Sequence, residues 1–264
     1  MLTSVKGSWC LILGASSGMG RATALAMARE GAHIFGVHFS TATQQDEADA
    51  LEAELRATGV QVRFHNANAA SKRTRAELIP LLAEAAGPDG VRVMLHSLAF
   101  GSLLPYIPQP DAQDVISQRQ MDMTVDVMAH SLVYWVQDLY AAGLLQRGAK
   151  LFALTSRGDS RVMPNYGAVS AAKSALTAHV RQLAVELAPA GIGVNALRAG
   201  LTLTPALVRI PGSEELARRA SESNPHGRIT VPEDVAEAVV MLSASDSSWI
   251  TGNVIDVDGG EGLV

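Results

Sequence analysis

Two side chains capable of acid–base chemistry, Tyr166 and Lys173, stand seven positions apart in the sequence. Residues separated by seven lie on one face of an α-helix, two turns apart, so this phenol and ammonium would line one wall of the same pocket. The phenol could donate a proton or hydrogen bond to a developing oxyanion. The ammonium could lower the pKa of the phenol and bind hydroxyl groups of a ligand. The pair therefore predicts a site that stabilises negative charge on an oxygen atom.

A glycine-rich turn forms the second candidate feature. It reads Gly-Ala-Ser-Ser-Gly-Met-Gly over residues 14–20, directly after an apolar stretch and before a helical one. Glycines let the backbone approach a diphosphate, which rests on the N–H groups that open a helix. In this strand–turn–helix context the pattern predicts dinucleotide binding, and the alternative is a tight turn that binds nothing. The expected contacts come from Gly14, Ser16, Ser17, Gly18, Met19 and Gly20.

The end of the second predicted strand bears on which dinucleotide binds. A carboxylate there would hydrogen-bond the adenosine ribose and repel a 2′-phosphate, but no acidic residue occurs before Asp46. His38, Ser40 and Thr41 could donate to a phosphate, although no arginine is at hand. We therefore favour NADP(H), with NAD(H) as the alternative. His38 could also be a half-exposed strand histidine that contacts no ligand.

Short apolar segments alternate with helical ones along the chain, which predicts a parallel sheet covered on both faces. The expected fold is α/β: a single Rossmann-type doubly wound parallel sheet of about seven strands, in one domain over 1–264. The stretch 199–227 has weak periodicity and several Pro and Gly residues, so we interpret it as a mobile substrate lid; an ordinary surface loop is the alternative. The expected strands are 9–13, 33–39, 60–64, 91–96, 150–155, 193–196 and 253–257, and the expected helices include 46–58, 71–86, 111–145 (broken near 117–120), 165–188 and one capped by Thr230.

Composition narrows the class of protein. The chain has 264 residues, of which 48% are hydrophobic and 18% charged, as in a globular domain. A net charge of −5 without a basic stripe argues against nucleic acid as a partner. No apolar run reaches membrane-spanning length and no signal peptide is visible, so a cytoplasmic location is expected. The single cysteine, Cys10, is expected in the core, and the scattered histidines predict no metal site.

The glycine loop, the Tyr166/Lys173 pair and the terminal Val-Asp-Gly-Gly at 257–260 together resemble the short-chain dehydrogenase/reductase superfamily. Most of its members place three residues between the tyrosine and the lysine. The six residues found here, the preceding Pro-Asn, and the runs 96–100 and 199–204 resemble the enoyl-[acyl-carrier-protein] reductase branch.

This resemblance implies a reaction and a set of roles. NADPH would reduce the carbon–carbon double bond of an enoyl thioester carried by acyl carrier protein or coenzyme A. Tyr166 would stabilise the enolate oxygen, and Lys173 would bind the nicotinamide ribose. Further cofactor contacts would come from Asn68, Ala69, Ser97, Ala99, Gly200, Thr202 and Thr204. The resemblance also implies a homo-oligomer, usually a tetramer.

Two positions depart from that branch and keep other interpretations open. Ser156 stands where its best-known members carry a second tyrosine, and it lies where carbonyl reductases keep a substrate-binding serine. Val169 stands where carbonyl reductases carry their tyrosine. Reduction of a 3-oxoacyl thioester or another ketone is therefore the second hypothesis. A cofactor-binding sensor without turnover is the third, and the intact Tyr166/Lys173 pair argues against it.

Overall fold

A single seven-stranded parallel sheet organises the molecule. The computed structural model describes residues 4–110, 113–204 and 213–264. The strands run in the order β3-β2-β1-β4-β5-β6-β7, and each neighbouring pair is parallel. The predicted doubly wound fold is confirmed. The strands are β1 Trp9–Leu13, β2 His33–His38, β3 Val62–Asn66, β4 Val91–His96, β5 Lys150–Ser156, β6 Gly193–Ala199 and β7 Val254–Val257.

Helices cover both faces of this sheet. The first group is α1 Gly18–Arg29, α2 Ala42–Ala57, α3 Lys72–Ala86, α4 Gln118–Val125 and α5 Ser131–Ala141. The second is α6 Gly167–Leu187, α7 Ser213–Ser223 and α8 Pro232–Ser243. A π-helical turn, Asp126–His130, joins α4 to α5. No helix within the described ranges is long and apolar enough to cross a membrane.

Alternation along the buried strands divides the core into two layers. Leu11 and Leu13 of β1 pack on one face with Trp135 of α5, while Ile12 packs on the other face with Met27 of α1. Successive side chains of a strand point to opposite faces, so a fully apolar strand serves both layers. Cys10 is fully buried in the second layer, as expected, and burial raises the pKa of its thiol.

Several predicted boundaries were wrong by a few residues. Helix α2 begins at Ala42, not at 46, because Thr41 and Gln44 form a capping box ahead of the charged stretch. Strand β3 lies two residues later than predicted, since His38 pairs with Asn66. Strand β6 extends to Ala199 because it pairs with β7 along that length.

Predicted helix starts were also displaced. The helix expected from residue 111, which lies outside the described residues, begins at Gln118, where Ser117 accepts from the N–H of Gln120. Thr230 does not cap α8. Instead, the carboxylate of Asp234 accepts from the N–H of Val231 at 2.9 Å, so the helix start is shifted by one position. A proline at position 80 lies within α3, which continues to Ala86.

The stretch expected to form a lid contains a helix that its periodicity did not predict. Residues 205–212 lie outside the described residues, and α7 follows them. Its polar face carries Glu215 paired with Arg218 and Arg219, and Arg218 paired with Glu222. Pairs three and four residues apart support an α-helix without a strong apolar stripe. Mobility of 199–227 stays a prediction.

Candidate active site

The carboxyl ends of the central strands meet at one edge of the sheet. Leu13 of β1 pairs with His96 of β4, and Ser156 of β5 pairs with Ala199 of β6; these are the last residues of the four strands. The chain reverses its winding direction between β1 and β4, which is the switch point where open α/β sheets bind ligands. The predicted site residues therefore converge on this edge.

The glycine loop is shaped by close backbone contacts. Gly14 has a φ of +90°, and a Cβ there would collide with the carbonyl oxygen of Ser97. Gly20 packs equally closely, because a Cβ there would collide with the carbonyl oxygen of Gly14. These contacts explain two of the glycines, because neither Gly14 nor Gly20 has room for a side chain where the turn passes between β4 and α1.

The start of α1 provides free donors. Ser17 is the N-cap of the helix, and its side chain makes no capping hydrogen bond. The first helical hydrogen bond runs from the N–H of Arg21 to the carbonyl oxygen of Ser17, at 3.1 Å. The N–H groups of Gly18, Met19 and Gly20 therefore have no partner within the helix. Together with the Ser16 and Ser17 hydroxyls they suit the oxygens of a diphosphate, so the residues present fit a dinucleotide.

The segment 199–204 lies in front of this loop. A Cβ on Gly18 would lie 3.5 Å from the methyl carbon of Thr204, so the predicted cofactor residues of the two segments are neighbours. The segment is held from two sides. Leu201 donates its N–H to Glu261 at 2.8 Å, and the Thr202 hydroxyl donates to the carbonyl of Gly200 at 2.9 Å.

The expected adenosine end is built from neutral polar groups. His38 is only 3% exposed and its Nδ1 lies 2.8 Å from the Ser40 hydroxyl, while burial lowers the pKa of the imidazole. The amide of Asn66 fixes Ser40 through two backbone hydrogen bonds of 3.1 and 3.0 Å. His38 thus faces Ser40, and the exposed donors at this end belong to the 40–41 segment.

Two further predicted contacts lie beyond β3. The side chain of Asn68 accepts from the N–H of Ala70 at 3.0 Å and shapes the turn before α3. Ala69 is buried, and its carbonyl accepts from the indole of Trp135 at 2.7 Å. Ala69 is therefore fixed by the core, whereas Asn68 remains at the surface of the cleft.

The helix predicted over 165–188 begins at Gly167, so Tyr166 lies one residue before its first turn. It forms the N-cap of α6, after Asn165, which has a φ of +58°. Burial raises the pKa of its phenol, and the neighbouring Ser156 hydroxyl opposes that rise. Ser156 Oγ is buried and makes no hydrogen bond of normal geometry. A buried hydroxyl without a partner costs free energy, so its place beside Tyr166 suits an incoming substrate oxygen.

Lys173 lies two turns further along α6. It is 7% exposed, and its Nζ donates to the carbonyl oxygen of Leu154 at 2.6 Å. Burial lowers the pKa of this ammonium to about 8, against an opposing effect of Asp159. The structure thus places Tyr166, Ser156 and the Lys173 side chain at one end of β5.

His96, the last residue of β4, is buried beneath the site and is neutral. Its Nε2 lies 2.8 Å from the Ser131 hydroxyl, which itself donates to the carbonyl of Val127. Because that hydroxyl has a single proton, His96 Nε2 is the donor. Burial, with a smaller effect of Lys173, lowers the pKa of His96 to about 3. Ser97 and Ala99 continue from it into the cleft.

An apolar wall completes the cleft beside Tyr166. Val169 is 5% exposed and packs with Met128 and Ala172, and Leu103 and Tyr166 cover them. The ring of Tyr106 lies against the backbone of Gly167. The sequence indicated that position 169 holds a valine in place of the tyrosine of carbonyl reductases. It did not predict that four further residues belong to the site: Tyr106, Ser131, Asp159 and Arg198. The charged run that follows Ser156 was the available signal for Asp159.

The fold and this site define an oxidoreductase with a dinucleotide-binding sheet. The sequence matches the family model described as Enoyl-(Acyl carrier protein) reductase over residues 14–261. The chain therefore belongs to this family of the short-chain dehydrogenase/reductase superfamily. Among the described residues, no cluster of three or more His, Cys, Asp or Glu could hold a metal ion.

Relatives within the superfamily differ in their substrates. The 2-keto-3-deoxy-L-fuconate dehydrogenase of Xanthomonas campestris pv. campestris is 30% identical, over 98% of this chain and 81% of its own length. The 3-oxoacyl-[acyl-carrier-protein] reductase of Thermotoga maritima is 28% identical, over 97% of this chain and 98% of its own. The enoyl-(acyl-carrier-protein) reductase of Anaplasma phagocytophilum, solved in complex with NAD, has a TM-score of 0.83 at 23% identity, covering 100% of this chain and 95% of that one.

Proposed function

We propose that this protein uses NADPH to reduce the carbon–carbon double bond of 2-enoyl thioesters, as in fatty acid synthesis. The observation that carries the proposal is the position of the phenol. Tyr166 is the N-cap of α6. Position 169 lies almost one helical turn closer to Lys173, and it holds a valine that packs into the apolar wall. One helical turn displaces a side chain by about 5 Å.

That displacement suits the geometry of an enoyl thioester. In a ketone, the carbon that accepts hydride carries the oxygen itself. In an enoyl thioester, the accepting β-carbon is separated from the thioester oxygen by two further carbons. A phenol that serves the thioester oxygen must therefore lie further from the hydride donor.

The chain's own groups would act on the charge that develops. Bound NADPH would supply a hydride to the β-carbon, and the double-bond electrons would then move onto the thioester oxygen. The buried phenol of Tyr166 stays protonated at neutral pH and donates to that oxygen. Lys173 places positive charge beneath the site and holds ribose hydroxyls. A proton from solvent adds to the α-carbon as the carbonyl re-forms, which would complete the saturated thioester.

A specific observation supports a second candidate, reduction of 3-oxoacyl thioesters or other ketones. Ser156 Oγ is buried without a partner beside Tyr166, which suits a carbonyl oxygen shared by the two hydroxyls. The 3-oxoacyl reductase of Thermotoga maritima is also a full-length relative.

The deciding experiment compares crotonyl and acetoacetyl thioesters side by side, with NADPH and NADH each tested as reductant. Oxidation of NADPH with the crotonyl thioester alone supports enoyl reduction. Turnover of the ketone alone would replace it with carbonyl reduction. A protein that binds NADPH and turns over neither compound would support the sensor hypothesis or a different substrate.

The remaining parts of the proposal concern the setting of the reaction. The thioester is carried by acyl carrier protein or coenzyme A, and the protein works in the cytoplasm as a homo-oligomer, with a tetramer expected. Comparing crotonyl-acyl carrier protein with crotonyl-coenzyme A tests the carrier. Light scattering after gel filtration tests the assembly against the chain mass of 27.7 kDa.

A further inference from the structure

Lys173 is a buried cation without an ion-pair partner in the described ranges. Its one hydrogen bond goes to the neutral carbonyl of Leu154, and no carboxylate among the described residues lies within 4.0 Å of it. A buried charge is costly unless opposite charge lies near it. Some other group must therefore favour the charged form of Lys173.

Asp159 is the buried carboxylate next to this lysine. It lies three residues after Ser156, its side chain is 4% exposed, and its carbonyl accepts from the hydroxyl of Ser174, the residue that follows Lys173. Asp159 is therefore fixed to α6 beside Lys173, and its negative charge acts on the lysine without direct contact.

The two oxygens of Asp159 have different surroundings. Oδ2 accepts three hydrogen bonds: one from Thr155 Oγ1 at 3.1 Å and two from Arg198, at 3.2 Å from Nε and 3.0 Å from Nη2. Oδ1 is buried and accepts none. Arg198 and Thr155 thus hold the carboxylate firmly while one of its oxygens stays unpaired.

The wider cluster has a charge balance that includes the lysine. Arg198 also pairs with Asp256 at 3.0 Å, and Arg157 pairs with Asp258 at 2.5 Å. These two arginines pair with three carboxylates, those of Asp159, Asp256 and Asp258, so they do not neutralise all the negative charge around Asp159.

We propose that Asp159 is a positioning residue that keeps the buried Lys173 ammonium charged. The other groups that face Lys173 add little charge. His96 on β4 is neutral, and Tyr166 on α6 is a protonated phenol. Arg198 on β6 is paired with Asp159 and Asp256.

The test measures the titration of Lys173 directly. The chain has four lysines, Lys6, Lys72, Lys150 and Lys173, so ¹³Cε signals of labelled lysine are few, and Lys173→Arg and Lys150→Arg assign the two buried ones. Asp159→Asn should move the midpoint of Lys173 to lower pH. Arg198→Gln removes a cation and leaves the carboxylate, so it should move the midpoint to higher pH.

The matched control is Asp256→Asn, which removes the other carboxylate of Arg198 and should leave the Lys173 midpoint close to that of the wild type. Shifts of the same sign in Asp159→Asn and Arg198→Gln would indicate general disruption and overturn the proposal, as would an unmoved midpoint in Asp159→Asn. If Asp159→Asn does not fold, the double variant Asp159→Asn/Arg198→Gln is compared with Arg198→Gln, and the proposal requires a lower Lys173 midpoint in the double variant.

The inference rests on the proposed role of Lys173, but its readout needs neither substrate nor turnover. Loss of the enoyl reductase hypothesis would leave the NMR midpoints interpretable. In parallel, the fall of turnover at high pH should begin at lower pH in Asp159→Asn than in Asp256→Asn.

Discussion

The Nζ of Lys173 lies 2.6 Å from the carbonyl oxygen of Leu154, two residues before Ser156. Helix α6 and strand β5 are thus joined at the point where β5 ends. The bond fixes the lysine relative to the strand that carries Ser156, while Tyr166, seven residues before the lysine, opens the same helix. One helix and one strand therefore set the arrangement of all three side chains.

Replacing Tyr166 by Phe should lower turnover of the favoured thioester by about 10²–10⁴-fold, because the hydrogen bond to the developing oxyanion is lost. Affinity for NADPH, measured by quenching of tryptophan fluorescence, should not change. The control is Tyr140→Phe on α5, since Tyr140 is exposed. Unchanged turnover in Tyr166→Phe would remove this residue from the mechanism.

Replacing Ser156 by Ala should separate the two candidate reactions. Ser156 Oγ is buried and makes no hydrogen bond of normal geometry, so its removal should not lower the free energy of unfolding and should raise it by up to about 1 kcal/mol. Carbonyl reduction should fall about 100-fold if the hydroxyl binds the substrate oxygen, whereas enoyl reduction should change little. Ser160→Ala, at an exposed serine nearby, is the control for both denaturant melts and kinetics.

Turnover should fall as the pH rises through about 8. The pKa of Lys173 is lowered to about 8 by burial, so the charged form that serves the site is present below that pH and lost above it. The effect on stability has the opposite sign. Between about pH 8 and the ordinary lysine pKa of 10.5, the unfolded chain holds a proton that the folded chain has released. The free energy of unfolding therefore rises with pH across this range. A pH profile of kcat/KM beside thermal melts would separate the two effects, and a profile that stays flat to pH 9.5 would contradict the assignment.

The pair formed by His130 and His179 should make folding sensitive to acid. Their Nδ1 and Nε2 atoms lie 2.9 Å apart, so one ring donates and the other must accept. Burial, together with His130, lowers the pKa of His179, so its stabilising effect is present above pH 6.5 and declines as the pH falls below it. Thermal melts from pH 7.5 to 5.0 should show a smaller decline in His179→Gln than in the wild type or in His226→Gln, an exposed control. An equal decline in all three proteins would refute the prediction.

Sequence predicted the parts of the site that depend on local spacing. The glycine turn, strand β4 and the Tyr166/Lys173 helix depend on neighbours within about ten residues, and the structure places them at one edge of the sheet. Strand ends were less predictable because pairing decides them, as with His38 and Asn66. The contacts of Asp159 with Arg198 and of His96 with Ser131 join residues 39 and 35 positions apart, and no local pattern shows which partners will meet.

The turn at residues 258–261 has a consequence for the order in which the protein is made. Asp258 holds Arg157, which lies 101 positions earlier in the chain, and Glu261 holds the N–H of Leu201, 60 positions earlier. Domains fold as the ribosome releases them, from the N-terminal end onward. The glycine turn and α6 are therefore available early. The loop that follows Ser156 and the 199–204 segment reach their final positions only after residue 261 has left the ribosome, so a nascent chain would complete its cleft late in synthesis.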